Sequence, residues 1–225
     1  MLSLFPDPVP PPVEGIDLRC CDVAELLDEN HAPALIIADP PWTYSQAPGH
    51  SANPDNHYLT INDSQIALTL DRAFDQADRC RMAVWCTWPK LGQWFDAKAG
   101  ARWRWRYVSG GSWHKTGGNP GTGYHWLGGS EPVLLYCKGT GLCTKWGPLS
   151  NAHTGPRTDH SQKPEEWIGE WLDRWTEPGD LVLDLYAGLA PVARACKLTG
   201  RRYLGAEIDP TRHSAALARL AAVRA

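Results

Sequence analysis

Ala34-Leu35-Ile36-Ile37-Ala38-Asp39-Pro40-Pro41-Trp42 is the stretch from which the rest of the chain can be read. Five small and branched apolar residues in a row have the character of a buried strand. Pro-Pro ends it, because proline has no N–H to give to a ladder and its ring drives the chain out of the sheet. Asp39 and Trp42 therefore fall at a strand's carboxyl end. In open α/β sheets that edge is where ligands bind, so an acid, two rigid prolines and a large aromatic there make a candidate site. The bland alternative is a strand-terminating turn with a surface acid and a core Trp.

Upstream, Gly15 to Cys20 reads as a short first strand that ends at Cys21-Asp22-Val23, putting a second carboxylate on the same edge. Ala24 to Asn30 reads as a short helix. Downstream, residues 43–57 have loop composition and are long enough to form a lid. Asn62-Asp63 then caps a helix over 64–77, with Ile66, Leu70, Ala73 and Phe74 inside. Arg81 to Cys86 is the next strand and delivers Thr87-Trp88-Pro89 to the same edge, and Leu91 to Ala99 is helical. Arg102 to Tyr107 alternates arginine with aromatics, which in extended chain separates rings from guanidiniums. That pattern reads either as a half-exposed strand or as a nucleic-acid contact surface.

Ser112-Trp113-His114-Lys115 ends that strand, 116–129 is glycine-rich, and Glu131 to Tyr136 returns as a strand. Residues 138–162 show little periodicity and read as a second long, mobile loop. Pro164 to Trp175 is helical, with Trp167, Trp171 and Trp175 as its core stripe. Leu181 to Leu185 is a fully buried strand. A turn of small residues and a helix from Pro191 follow, then a strand ending in Glu207 and Asp209. Asp209 is the N-cap and Pro210 the first residue of the last helix. Strand, small-residue turn, helix and acid-terminated strand form a nucleotide-binding unit in which Glu207, 23 residues after Asp184, can take ribose hydroxyls. Without Gly-x-Gly-x-x-Gly, the pattern points to a cofactor lacking a pyrophosphate.

The 225 residues suit one α/β domain over 16–225, preceded by a proline-rich arm at 1–15, with mobile loops near 43–57, 116–129 and 138–162. There is no secretion signal and no membrane-spanning stretch. Seven cysteines without a Cys-x-x-Cys pair suggest a reduced, cytoplasmic protein with no metal site. The net charge of −3 conceals a split: residues 1–80 carry 13 acids and 3 bases, and the remainder carries 12 acids and 19 bases. Such polarity can offer a basic face to nucleic acid, or can be a solvated surface. Aromatics in loops suit base stacking.

Taken in order, these pieces resemble the S-adenosylmethionine-dependent N(6)-adenine methyltransferases of the Asp-Pro-Pro-Trp type. That family includes the catalytic subunit acting on eukaryotic messenger RNA and bacterial and phage DNA enzymes. The pieces are Cys21-Asp22-Val23, Asp39 to Trp42, Tyr58, Trp85-Cys86-Thr87, Trp113-His114-Lys115, Gly123-Tyr124-His125-Trp126-Leu127 with Glu131, His160-Ser161-Gln162-Lys163-Pro164, Leu185-Tyr186-Ala187-Gly188, and Gly205-Ala206-Glu207. They span Cys21 to Asp209 and keep that class's permuted order, catalytic motif first and cofactor turn last.

The resemblance implies a Rossmann-like methyltransferase fold: a mixed, mostly parallel sheet with helices on both faces. It implies methyl transfer from S-adenosyl-L-methionine to the 6-amino group of a flipped-out adenine. Asp39, Pro40, Pro41, Trp42 and Tyr58 would be catalytic. Asp22 and Val23 would meet the cofactor's adenine and Glu207 its ribose. Lys163 would meet its methionine carboxylate and Asp39 its amino group, with Leu185, Tyr186, Ala187 and Gly188 forming the turn beside it. Lys115, His125 and Trp126 are candidate substrate contacts.

Two departures stand out. The turn is Tyr186-Ala187-Gly188-Leu189-Ala190 rather than Phe-x-Gly-x-Gly, and no separate target-recognition domain is visible. The implied partner is DNA ahead of RNA, with a homodimer left open. The same reaction on RNA and a catalytically silent nucleic-acid-binding subunit are the alternatives. Cytosine methylation ranks lower, because it usually goes with Ser-Pro-Pro-Tyr.

Overall fold

The computed structural model describes residues 14–43, 60–95, 103–117, 128–139, 149–156 and 162–223. Every residue of β2 (Leu35–Ala38) is buried. This strand pairs in parallel with β3 (Cys80–Trp85) on one side and β7 (Leu181–Asp184) on the other. Around this centre runs an eight-stranded sheet in the order β1-β8-β7-β2-β3-β5-β4-β6. Its other strands are β1 (Ile16–Arg19), β4 (Arg106–Thr116), β5 (Ser130–Lys138), β6 (Ala152–Pro156) and β8 (Arg202–Ala206). Among the described residues, only the β3–β5 and β5–β4 pairings are antiparallel. Central strands buried on both faces need continuous apolar sequence, which is why β2, β3 and β7 are legible without alternation.

One face of the sheet is covered by α4 (Glu165–Trp175), α5 (Pro191–Thr199) and α6 (Pro210–Ala221). The other is covered by α1 (Val23–Leu26), α2 (Asp63–Arg72) and α3 (Trp88–Phe95). From β7 the chain crosses through α5 to β8, while from β2 it crosses through α2 to β3 on the opposite side. These two connections diverge, so a crevice opens beyond the carboxyl ends of β7 and β2. Ile37 and Asp184 are register partners, which brings Asp184 and Asp39 to that crevice together.

Several sequence expectations are corrected. The stretch 138–162 is not a loop throughout, since Ala152–Pro156 forms β6, in parallel with the end of β4. This edge strand has little apolar content. Its hold is on the backbone, where Ser112 N–H donates to Asn151 O at 2.8 Å, so no hydrophobic period announces it. Gly111 permits the approach, because a Cβ there would lie 2.7 Å from Asn151 O. The first helix is one turn, Val23–Leu26, rather than 24–30. The second tightens into a 3-10 turn at Ala73–Gln76, and the third begins at Trp88 rather than Leu91.

The Arg-aromatic alternation is not a nucleic-acid face at Arg104 and Trp105. Trp105 is buried with its indole N–H on Leu70 O at 2.7 Å and its ring edge-on to Phe74. Arg104 clamps Asp71 and Asp75 at 3.1 and 2.6 Å.

The tryptophan stripe of α4 does form the core. Trp85 of β3 meets Trp113, Trp167 and Trp171 at ring separations of 6.2, 5.7 and 5.5 Å. Truncating a buried indole leaves a cavity that rigid neighbouring rings cannot refill. Trp171→Ala is expected to cost about 3–5 kcal/mol, read as a lower urea midpoint at unchanged slope.

Candidate active site

Asp39 follows directly on β2, with its carboxylate at the rim of a cavity of about 630 Å³, a size within the usual range for small-molecule sites. Its Oδ2 lies 3.0 Å from Lys163 Nζ. Lys163 is only 9% exposed, so it is not a solvated residue ahead of a helix. Its ammonium also reaches Glu131 Oε2 at 3.0 Å, and Glu131 Oε1 accepts from Lys115 Nζ. Asp39, Lys163, Glu131 and Lys115 thus form an alternating chain of charge from the end of β2, across the segment before α4, to β5 and β4.

The sequence marked Lys115 as a substrate contact. In the structure its ammonium is engaged by Glu131 and stands 5.3 Å from the Trp113 ring centre. Glu131 had no assigned role, because nothing local in the sequence says that β4 and β5 place it between two lysines.

The charges of this chain follow from burial and neighbours. Burial raises the Asp39 pKa, with Lys163 opposing it. Burial would also raise Glu131, but Lys163 and Lys115 outweigh it and hold that pKa at about 2. Burial alone would lower Lys163, yet Asp39 and Glu131 overcome it and raise its pKa.

The prolines shape the next step of the chain. Trp42 N–H donates to Pro40 O at 2.9 Å, a three-residue turn, and Ile61 N–H donates to Pro41 O at 3.0 Å. One lone pair of the Pro40 carbonyl is thereby taken, and among the described residues no second N–H of the backbone is directed at it. Trp42 is buried, yet it contributes to the cavity wall. Tyr58, His125 and Trp126 lie outside the described residues.

At the far side, Asp22 is the N-cap of α1, and its Oδ1 accepts from Ala24 N–H at 2.7 Å in a capping box with Glu25. Val23 lines the same cavity. The Leu185 to Gly188 turn is tied down by Leu185 N–H on Ile37 O at 3.0 Å and Ala187 N–H on Ala206 O at 2.9 Å. Glu207 closes it, with Oε2 accepting from Gly188 N–H and Oε1 from Asp209 N–H, both at 2.9 Å. The missing second glycine has a visible consequence. Ala190, the N-cap of α5, sits in the left-handed region at φ 56°, where a Cβ costs roughly 1–2 kcal/mol.

Two groups of cavity residues escaped sequence reasoning. Asp184 is buried in the cavity floor, its Oδ2 accepting from the Tyr203 hydroxyl at 3.0 Å. Gln65, Leu68 and Thr69 line the wall from α2. The available clue was Leu68, which falls off the Ile66–Leu70 stripe of an amphipathic helix, where a leucine has no packing reason to be; in the structure it is 63% exposed.

The sheet order and the switch-point crevice define a Rossmann-like α/β fold. Residues 138–218 match the N(6)/N(4) methyltransferase family described as DNA methylase. "Putative methylase YubD" of Escherichia coli is 35% identical over 72 residues, which make up 32% of this chain and 32% of that protein. The match therefore spans about a third of the relative's length. Among solved structures, the M1.HpyAVI-SAM complex superposes with a TM-score of 0.66 at 19% identity, covering 91% of this chain and 99% of that one. PvuII DNA methyltransferase, cytosine-N(4)-specific, gives 0.67 at 13% identity over 93% and 89%.

Burial pushes the Asp184 carboxyl up to about 7, with the Tyr203 hydrogen bond opposing that rise. An acid whose folded pKa lies above its unfolded value binds its proton more tightly when folded, so stability declines as pH rises from about 4 to about 7. Asp184→Asn keeps an acceptor for Tyr203 without the ionisation. Its melting temperature is expected to fall less than the wild type's between pH 5 and 7.5, as followed by thermal denaturation across that range.

Proposed function

We propose that this protein is a DNA methyltransferase that carries a methyl group from S-adenosyl-L-methionine to the exocyclic 6-amino group of adenine. The observation that carries the reading is Asp39, held at a cavity rim by a buried lysine and followed at once by a proline whose carbonyl, among the described residues, accepts one backbone N–H. An aromatic amine is a poor nucleophile because its lone pair is delocalised into the ring. Asp39 and the Pro40 carbonyl each accept one amino hydrogen, which favours a pyramidal nitrogen with its lone pair free. Strong basicity is not needed, because the methylated amine is itself acidic and loses its proton after transfer.

The cavity suits the cofactor on its own chemistry. It offers a carboxylate at each end, a buried ammonium, and two buried hydrogen-bonding atoms, Trp85 Nε1 and Thr87 Oγ1, that lack a partner among the described residues. Such atoms are costly unless a bound molecule satisfies them. Asp22 and Val23 would hold the adenine, Glu207 the ribose, and Lys163 and Asp39 the methionine end. When bound, the cofactor supplies an electrophilic methyl on sulfonium. The protein's contribution is mainly positioning. Lys163 keeps the Asp39 carboxylate in one orientation, and Glu131 keeps Lys163 charged.

DNA is favoured over RNA because the family matched over residues 138–218 is described as DNA methylase. Adenine is favoured over cytosine by the acid at position 39, although a neighbour of this fold acts on cytosine.

Incubation with labelled S-adenosyl-L-methionine and unmethylated DNA, followed by digestion, should give 6-methyladenine as the labelled nucleoside. Labelled 4-methylcytosine would overturn the base assignment, and no labelled nucleoside on DNA or RNA would favour a silent subunit. Asp39→Ala should lower transfer by about a thousandfold. Binding of S-adenosyl-L-homocysteine, measured by calorimetry, should stay within about tenfold of wild type, about 1.4 kcal/mol or less.

A further inference from the structure

Trp88 is a large ring with an unusual environment. It is 51% exposed, although it opens α3 and stands at the carboxyl edge of the sheet. Thr87, just before it, lines the cavity, and so does Glu131. Trp88 is bonded to the residue preceding Glu131, its indole N–H reaching both Ser130 O at 3.1 Å and Ser130 Oγ at 3.0 Å. The ring is therefore one residue removed from the cavity wall twice over, through Thr87 next to it in sequence and through Ser130 at the start of β5, yet is not part of that wall. Directly opposite Ser130 in the ladder is His114, also exposed.

The single polar atom of the indole is turned inward and used. What remains for solvent is an apolar, π-faced plane, fixed by two contacts to one serine, so little rotamer entropy is left to lose on binding. The indole N–H ties the start of α3 to β5, while about half of the ring's surface stays in solvent and adds nothing to the packing of the core. That surface matches a flat aromatic partner that arrives at the cavity mouth.

We infer that Trp88 is a stacking platform for a nucleobase flanking the target, holding the polymer at the rim while the target base enters the cavity. This rests on the nucleic-acid reading above. A flipped base leaves its neighbours unstacked at the mouth, and a fixed ring there replaces part of the lost stacking. Because every base has a π-face, the contact adds affinity with little sequence preference.

The test compares wild type, Trp88→Ala and Trp88→Phe on unmethylated plasmid DNA, measuring KM for DNA, kcat, the melting temperature and Kd for S-adenosyl-L-homocysteine. Trp88→Ala should raise KM for DNA about five- to a hundredfold, with cofactor Kd unchanged. Trp88→Phe, which keeps a ring but loses the bonds to Ser130, should recover most of the affinity. A KM for DNA within twofold of wild type in Trp88→Ala would overturn the inference alone. So would DNA and cofactor affinities falling together with the melting temperature, which would mark a structural role. A wild-type protein that neither binds nor methylates DNA would overturn the underlying reading as well.

Discussion

A single ammonium group holds together two carboxylates that would otherwise repel each other. Lys163 Nζ stands 3.0 Å from both Asp39 and Glu131, among side chains largely withdrawn from water. Removing charge from water costs several kcal/mol per ion, and only close, well-oriented pairing offsets it. Here the offset is arranged by alternation, acid, base, acid, base, ending on Lys115. Each member comes from a different part of the chain, so the site exists only when the central sheet, the antiparallel extension and α4 are all in place.

That arrangement explains the extension itself. The parallel half, from β1 to β3, builds the crevice and the turn closed by Glu207. The antiparallel half, β5 and β4, brings Glu131 and Lys115 to the same edge, and β6 flanks it. The tryptophans of α4 pack beneath, so that the chain entering α4 carries Lys163 to the crevice at a fixed height. Packing in this core thus sets the geometry of charges several residues away.

Much of the fold was legible because it rests on local rules. β2 and β7 announce themselves by their apolar runs and β3 by Met82 to Cys86, and Asp209-Pro210 by the chemistry of a helix start, with Asp209 Oδ1 accepting from Thr211 and Arg212 N–H. β6 was not legible, since an edge strand held by backbone hydrogen bonds leaves no hydrophobic period. Arg104 and Trp105 were read ambiguously, because an alternating pattern does not say which neighbour will use it. In the fold, α2 and its 3-10 extension use both.

The sequence by itself determined the strand end at Asp39-Pro40-Pro41-Trp42, the acid-terminated strand at Glu207 and the order in which these pieces run. Proline geometry and continuous hydrophobicity act over a few residues and need no tertiary context. Only the tertiary structure decided that Lys163 is buried, that Lys115 is spent on Glu131, that Asp184 lies in the cavity floor beneath Tyr203, and that Trp88 is left outside with its indole N–H engaged. Charges and exposed rings acquire their meaning from what stands within a few ångströms of them, and in this chain those neighbours are separated by tens of residues.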